Sequence, residues 1–138
     1  MIFLDFDGVL FDTVKEAYSV AVITSDKFNS IDQINFKTEH YQNFRKLRYL
    51  ISPAWNYKYL LEVLELDCDI NTMKNHLLKS ITSASKKEYE EFESIFFITR
   101  NHLIKNYYDK WSKLNIPFSF LNKINFLFGD FKDKVYII

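Results

Sequence analysis

The sequence is short of the residues that punctuate a chain. It has two glycines and two prolines in 138 residues, against ordinary usage of about 7% and 5%. The loops of a complete α/β domain need more, so the composition points to long helices with few connections. Cysteine is almost absent: Cys68 stands alone, which excludes an intrachain disulfide and suits a reducing compartment. Its acidic setting, Leu66-Asp67-Cys68-Asp69, argues against a reactive thiol. There is no excess of either charge, with 18 basic and 18 acidic residues, and hence no long-range field for nucleic acid or an anionic membrane. Every apolar run is interrupted before the roughly 18 residues a membrane span needs. Asp5 and Asp7 break the apolar start that a signal peptide requires. The expectation is a soluble, cytoplasmic protein. His40, His76 and His102 lie too far apart to show a metal-ligand spacing.

What the chain does have is apolar bulk. Hydrophobic residues make up 48%, with 14 Phe, 9 Tyr and 2 Trp, enough for an aromatic core. A chain of this length is normally one domain and buries roughly two thirds of its unfolded surface.

The most informative stretch is the N-terminus, Ile2-Phe3-Leu4-Asp5-Phe6-Asp7-Gly8-Val9-Leu10-Phe11-Asp12-Thr13. Ile2 to Leu4 reads as a buried strand that ends at Asp5. Asp5 and Asp7 share a face if the strand geometry persists, with Phe6 turned away. Two carboxylates so close repel each other unless a cation lies between them or one holds a proton. Gly8 gives a sterically free turn. Asp12 or Thr13 is placed to cap a helix from Val14, and Glu16, three residues after Thr13, completes a capping-box pattern.

Asp5-Phe6-Asp7-Gly8-Val9-Leu10-Phe11-Asp12-Thr13 closely resembles the first motif of the haloacid dehalogenase-like (HAD) phosphohydrolase superfamily. The resemblance implies Asp5 as the nucleophile that forms a phospho-aspartyl intermediate and Asp7 as the general acid/base. It also implies Mg2+ held by the Asp5 carboxylate and the Asp7 backbone carbonyl. The fold it implies is α/β: an incomplete Rossmann-like parallel sheet formed by 1–13 and 117–138, with an all-helical cap inserted at 14–116.

The rest of the chain reads as helices. Val14 to about Phe28 is one. Tyr41, Phe44, Leu47 and Ile51 give an amphipathic pattern over 34–51, with the basic cluster Arg45, Lys46 and Arg48 close to its apolar face. Pro53 stops that segment and Ser52 is placed to cap a helix through Trp55–Leu66. Asp69 or Asn71 caps a helix carrying Ile70, Met73, Leu77 and Ile81. A long pattern from about Lys86 to Leu114 has a candidate break at 97–101. Within it Arg100 sits among apolar residues and must find a partner or reach solvent, the partner being a nearby glutamate or an anion. Ser119 begins a short helix through Leu121, Ile124 and Leu127 that Gly129 ends, and Val135–Ile138 reads as a buried strand beside the first.

The motif that would follow Ile138 in the resembled family, a phosphate-binding serine or threonine, is not reached, nor are the later lysine and acidic pair. The expectation is therefore a magnesium-dependent phosphatase of a small phosphorylated metabolite as part of a longer protein, with this chain alone a poor catalyst or none. Gly8, Arg45, Arg48 and Arg100 are the candidate substrate contacts, the arginines by charge alone. The alternative is a shortened, non-catalytic HAD-like module whose exposed strands are covered by a second copy or a partner.

Overall fold

The computed structural model describes residues 2–4, 8, 10–123 and 135–137. In chain order the elements are β1 (Ile2–Leu4), β2 (Phe11–Asp12), α1 (Val14–Thr24), a 3-10 turn (Ile31–Gln33), α2 (Glu39–Leu47), a second 3-10 turn (Arg48–Leu50) and α3 (Asn56–Val63). There follow α4 (Ile70–Ser83), α5 (Lys86–Asn106), α6 (Tyr108–Ser112), β3 (Ile116–Pro117), a third 3-10 turn (Ser119–Lys123) and β4 (Val135–Ile137).

Helix α1 is the centre of the molecule. Every residue from Glu16 to Val22 is buried, which marks a helix enclosed on all sides rather than one with a wet face. Ala17 and Ala21 keep its surface low, and α5, α3 and α2 all pack against it. The amphipathic spacing of α2 buries Tyr41, Phe44 and Leu47 toward that centre. Thr38 caps α2 by accepting from the Tyr41 N–H at 3.3 Å. Asp69 caps α4, accepting from the N–H groups of Asn71 and Thr72 at 2.9 and 3.2 Å, and Met73 and Leu77 supply that helix's buried face.

The aromatic content is concentrated in a ring column. Phe44 stacks on Tyr57 with centroids 5.6 Å apart and planes 10° apart, and Tyr57 stacks on Phe96 at 5.2 Å and 12°. Tyr18 meets Phe44 edge-on at 5.0 Å. One column thus ties α1, α2, α3 and α5 together, in geometries that aromatic quadrupoles favour.

Several expectations need correcting. The expected HAD-like α/β core is not what the described residues form. They are mostly helical, and their strands make only two short pairs: β1 with β4, parallel, in the register Ile2↔Val135 to Leu4↔Ile137, and β2 with β3, antiparallel. Neither pair is a parallel sheet layered between helices, as a Rossmann-like core must be. The expected crossover helix from Ser119 is a 3-10 turn as far as Lys123, and its remaining positions lie outside the described residues. The helix expected over 34–51 begins only at Glu39, because Thr38 captures its first turn. Helix α5 runs unbroken through 97–101 and ends instead at Asn106, whose side-chain amide donates to the His102 carbonyl at 3.0 Å and so takes up a last-turn acceptor.

Beside α1 a polar group is enclosed by the fold. Tyr18 Oη and His40 Nδ1 are 2.9 Å apart. His40 Nε2 lies 3.3 Å from Glu65 Oε1, off the line of a hydrogen bond, and Lys27 forms an ion pair with the same carboxylate. Burial, then the Lys27 charge, push the imidazole below its ordinary 6.5. The unfolded chain therefore takes up a proton near pH 6.5 before the folded chain does. The stability this neutral imidazole contributes is present above that pH and is lost as pH falls through the lower folded value. We expect urea midpoints to decline from pH 6.5 downward in the wild type and to decline less in His40→Gln. Equal slopes would refute the assignment.

Candidate functional site

The structure brings three of the four candidate substrate contacts to one cleft. Gly8 occupies a turn in which its N–H donates to the Phe11 carbonyl at 2.9 Å. Its φ of +75° requires glycine, whereas the space around it would admit a Cβ. Gly8, Asp12, Thr13 and Val14 form one side of a cleft of about 400 Å³, and Arg45, Arg48, Tyr49 and Phe118 complete its lining. A second cleft of about 210 Å³ adjoins it, sharing Thr13 and Arg48 and adding Glu16, Tyr57, Phe96 and Arg100. Asp5 and Asp7 lie outside the described residues.

Local folding explains these positions. Asp12 ends β2 and caps α1, its Oδ1 accepting from the Val14 N–H at 3.1 Å. The neighbouring Thr13 side chain makes no capping bond and is buried. Glu16 does not close a capping box, since it points into the protein. Its Oε1 accepts from Arg100 Nε at 2.7 Å and from Trp111 Nε1 at 3.0 Å. In the second 3-10 turn, directly after α2, the chain tightens and sets Arg48 and Tyr49 side by side on the cleft wall.

The three arginines differ in what holds them. Arg45 Nη2 donates to Asp12 Oδ2 at 2.7 Å, a bond that raises the guanidinium further above its usual range. Arg100 is committed to the buried Glu16 and lies 5.9 Å from the Trp111 ring centre. Arg48 has no carboxylate partner among the described residues. Its Nη1 donates to the Ile51 carbonyl at 3.1 Å, and its guanidinium rests against Tyr57, 5.1 Å from the ring centre. Among the described residues it is the one cation that lines both clefts.

Sequence reasoning missed Thr13, Tyr57, Tyr49 and Phe118 as cleft walls, and it misread Glu16. For Glu16 a signal was present: it stands four residues before Val20 and so shares a helix face with an apolar residue. For Tyr49 and Phe118 there was none, because they are far apart in sequence and meet only at the cleft.

The comparisons add no relative: the chain matches no protein-family model, no curated protein and no solved structure. The fold therefore stands on its own as a mostly helical body with a small cationic double cleft. This overturns the phosphatase expectation and the family assignment behind it. The described residues lack the parallel core that holds such a catalytic set, and no group of three or more His, Cys, Asp or Glu among them is arranged to hold a metal ion. No helix among the described residues is long and apolar enough to cross a membrane.

Proposed function

We propose that this protein binds a small phosphorylated metabolite in the double cleft, with Arg48 as the residue that grips the phosphate. The observation that carries the reading is the state of Arg48. It is a half-buried guanidinium held in place by Tyr57 and the Ile51 carbonyl, with no carboxylate partner among the described residues. A planar guanidinium offers paired donors that match a phosphate. The flanking Arg45 and Arg100 are each offset by a carboxylate, so among the described lining residues the joined clefts keep an excess of one positive charge, supplied by Arg48. Thr13 and the exposed Gly8 turn leave the opposite wall open to a ligand.

The test is calorimetric titration of the full chain with inorganic phosphate and ribose 5-phosphate. Binding of ribose 5-phosphate is expected in the wild type. We expect it to weaken about tenfold or more in Arg48→Met, the loss of one charge-assisted hydrogen-bonding pair, and to be partly kept in Arg48→Lys. Thermal melts of the same variants separate lost binding from lost folding. Equal affinity in wild type and a folded Arg48→Met would overturn the reading, as would absence of binding by both compounds.

A further inference from the structure

The cleft beside Arg48 carries a feature that a phosphate alone does not use. Two aromatic side chains line it together with the arginines: Tyr49, 68% exposed, and Phe118, 36% exposed. Each has a neighbour that steadies it. Tyr49 belongs to the 3-10 turn that also positions Arg48, and the Lys74 ammonium lies 5.6 Å from its ring centre. Phe118 follows β3 directly, its N–H donates to the Leu10 carbonyl at 3.1 Å, and its ring stacks on Phe120 at 6.3 Å and 14°. Leaving two large rings in water has an unfavourable solvation free energy. Phe97, Tyr107, Tyr108 and Phe120 are exposed as well, but among the described residues Tyr49 and Phe118 are the exposed rings that line the cleft with the arginines.

We propose that the ligand is a nucleoside monophosphate, with its phosphate on Arg48 and its base stacked against the exposed rings of Tyr49 and Phe118. This rests on the phosphate-binding reading above and adds the class of the group attached to the phosphate. The cleft of about 400 Å³ has the size range of small-molecule sites. Its lining supplies the two kinds of contact such a ligand needs: guanidinium donors for the phosphate and ring faces for a planar base. A sugar phosphate would use Arg48 and leave the rings wet. Stacking tolerates any base, so preference among adenine, guanine and the pyrimidines is expected to be shallow.

The experiment compares adenosine 5′-monophosphate, ribose 5-phosphate and adenosine as ligands of the full chain by calorimetry. The nucleotide is expected to bind at least about tenfold tighter than ribose 5-phosphate, a ratio within the range that one base–aromatic stack supplies. Tyr49→Leu, which keeps apolar bulk without a ring, is expected to abolish most of that ratio by weakening nucleotide binding far more than ribose 5-phosphate binding, with thermal melts reporting whether the variant is folded. Phe118→Leu is the second, independent variant. If both phosphates bind equally well, the base-stacking proposal falls and the Arg48 reading stands. If neither binds, both fall. Adenosine binding as tightly as the nucleotide would overturn the role given to the phosphate.

Discussion

Replacing Phe44 by alanine is expected to destabilise the protein by about 3–5 kcal/mol, at the upper end of what single core truncations do. Phe44 is wholly buried and is the junction of the ring column. It stacks on Tyr57, receives the edge of Tyr18 and through Tyr57 reaches Phe96. Truncation removes transfer free energy and leaves a cavity bounded by the rings of Tyr18 on α1 and Tyr57 on α3, which can close only by shifting these packed rings. Phe44→Leu keeps much of the volume and should lose much less. Urea unfolding at pH 7.5, above the His40 window, is the appropriate measurement. A loss below about 1 kcal/mol for Phe44→Ala would mean that the column is not the core.

Glu16→Ala is the second large effect, about 2–4 kcal/mol. The carboxylate is 4% exposed and takes two donors on one oxygen, Arg100 Nε and Trp111 Nε1. Removing it leaves a guanidinium and an indole N–H unpaired in a tight space. Arg100 keeps 31% of its side-chain surface, so water recovers part of the loss and the figure stays below that of a fully enclosed pair. Glu16→Gln retains an acceptor and should cost less. The double variant Glu16→Ala/Arg100→Met should cost clearly less than the sum of the two single changes, because the second removes the charge that the first has stranded. Strict additivity in that cycle would show that the pair is not coupled.

These two effects bear on the cleft as well. Tyr57 carries Arg48 on one side and belongs to the column on the other. Glu16 holds Arg100 away from the second cleft's phosphate role and lines that cleft itself. Arg48 thus sits on a wall whose rigidity comes from the core, which preorganises a guanidinium before any ligand arrives.

Much of the helical architecture could be read from local pattern. The spacing of Tyr41, Phe44 and Leu47 and the Asp69 cap are local properties, in which a few neighbouring residues settle the outcome. The stop expected at Pro53 is not where α2 ends, which is at Leu47 before a 3-10 turn. The site was legible only in part. Arg45 and Arg48 were visible as charges near an apolar stripe and do line the cleft with Gly8. Which of them is committed was not visible, because Asp12 lies 33 residues from Arg45, and Glu16 lies 84 residues from Arg100. The acidic motif at 5–13 drew the reading toward a parallel α/β enzyme, and the helical body overturned it. A nine-residue match carries the local turn chemistry of a family without the surrounding layers that give that chemistry a site.

The sequence by itself determined that this chain would be helix-rich, aromatic in its core, without an intrachain disulfide and balanced in charge, since composition and 3.6-residue periodicity act within single elements. The tertiary structure alone decided that α1 would be the buried centre, that Glu16 would anchor Arg100 and Trp111, and that Arg48 would stand without an acidic partner among the described residues between Tyr49, Tyr57 and Phe118. The reason is that burial and ion pairing are set by which surfaces meet across tens of residues. The free energies that choose among such meetings belong to the packed whole and not to any one segment.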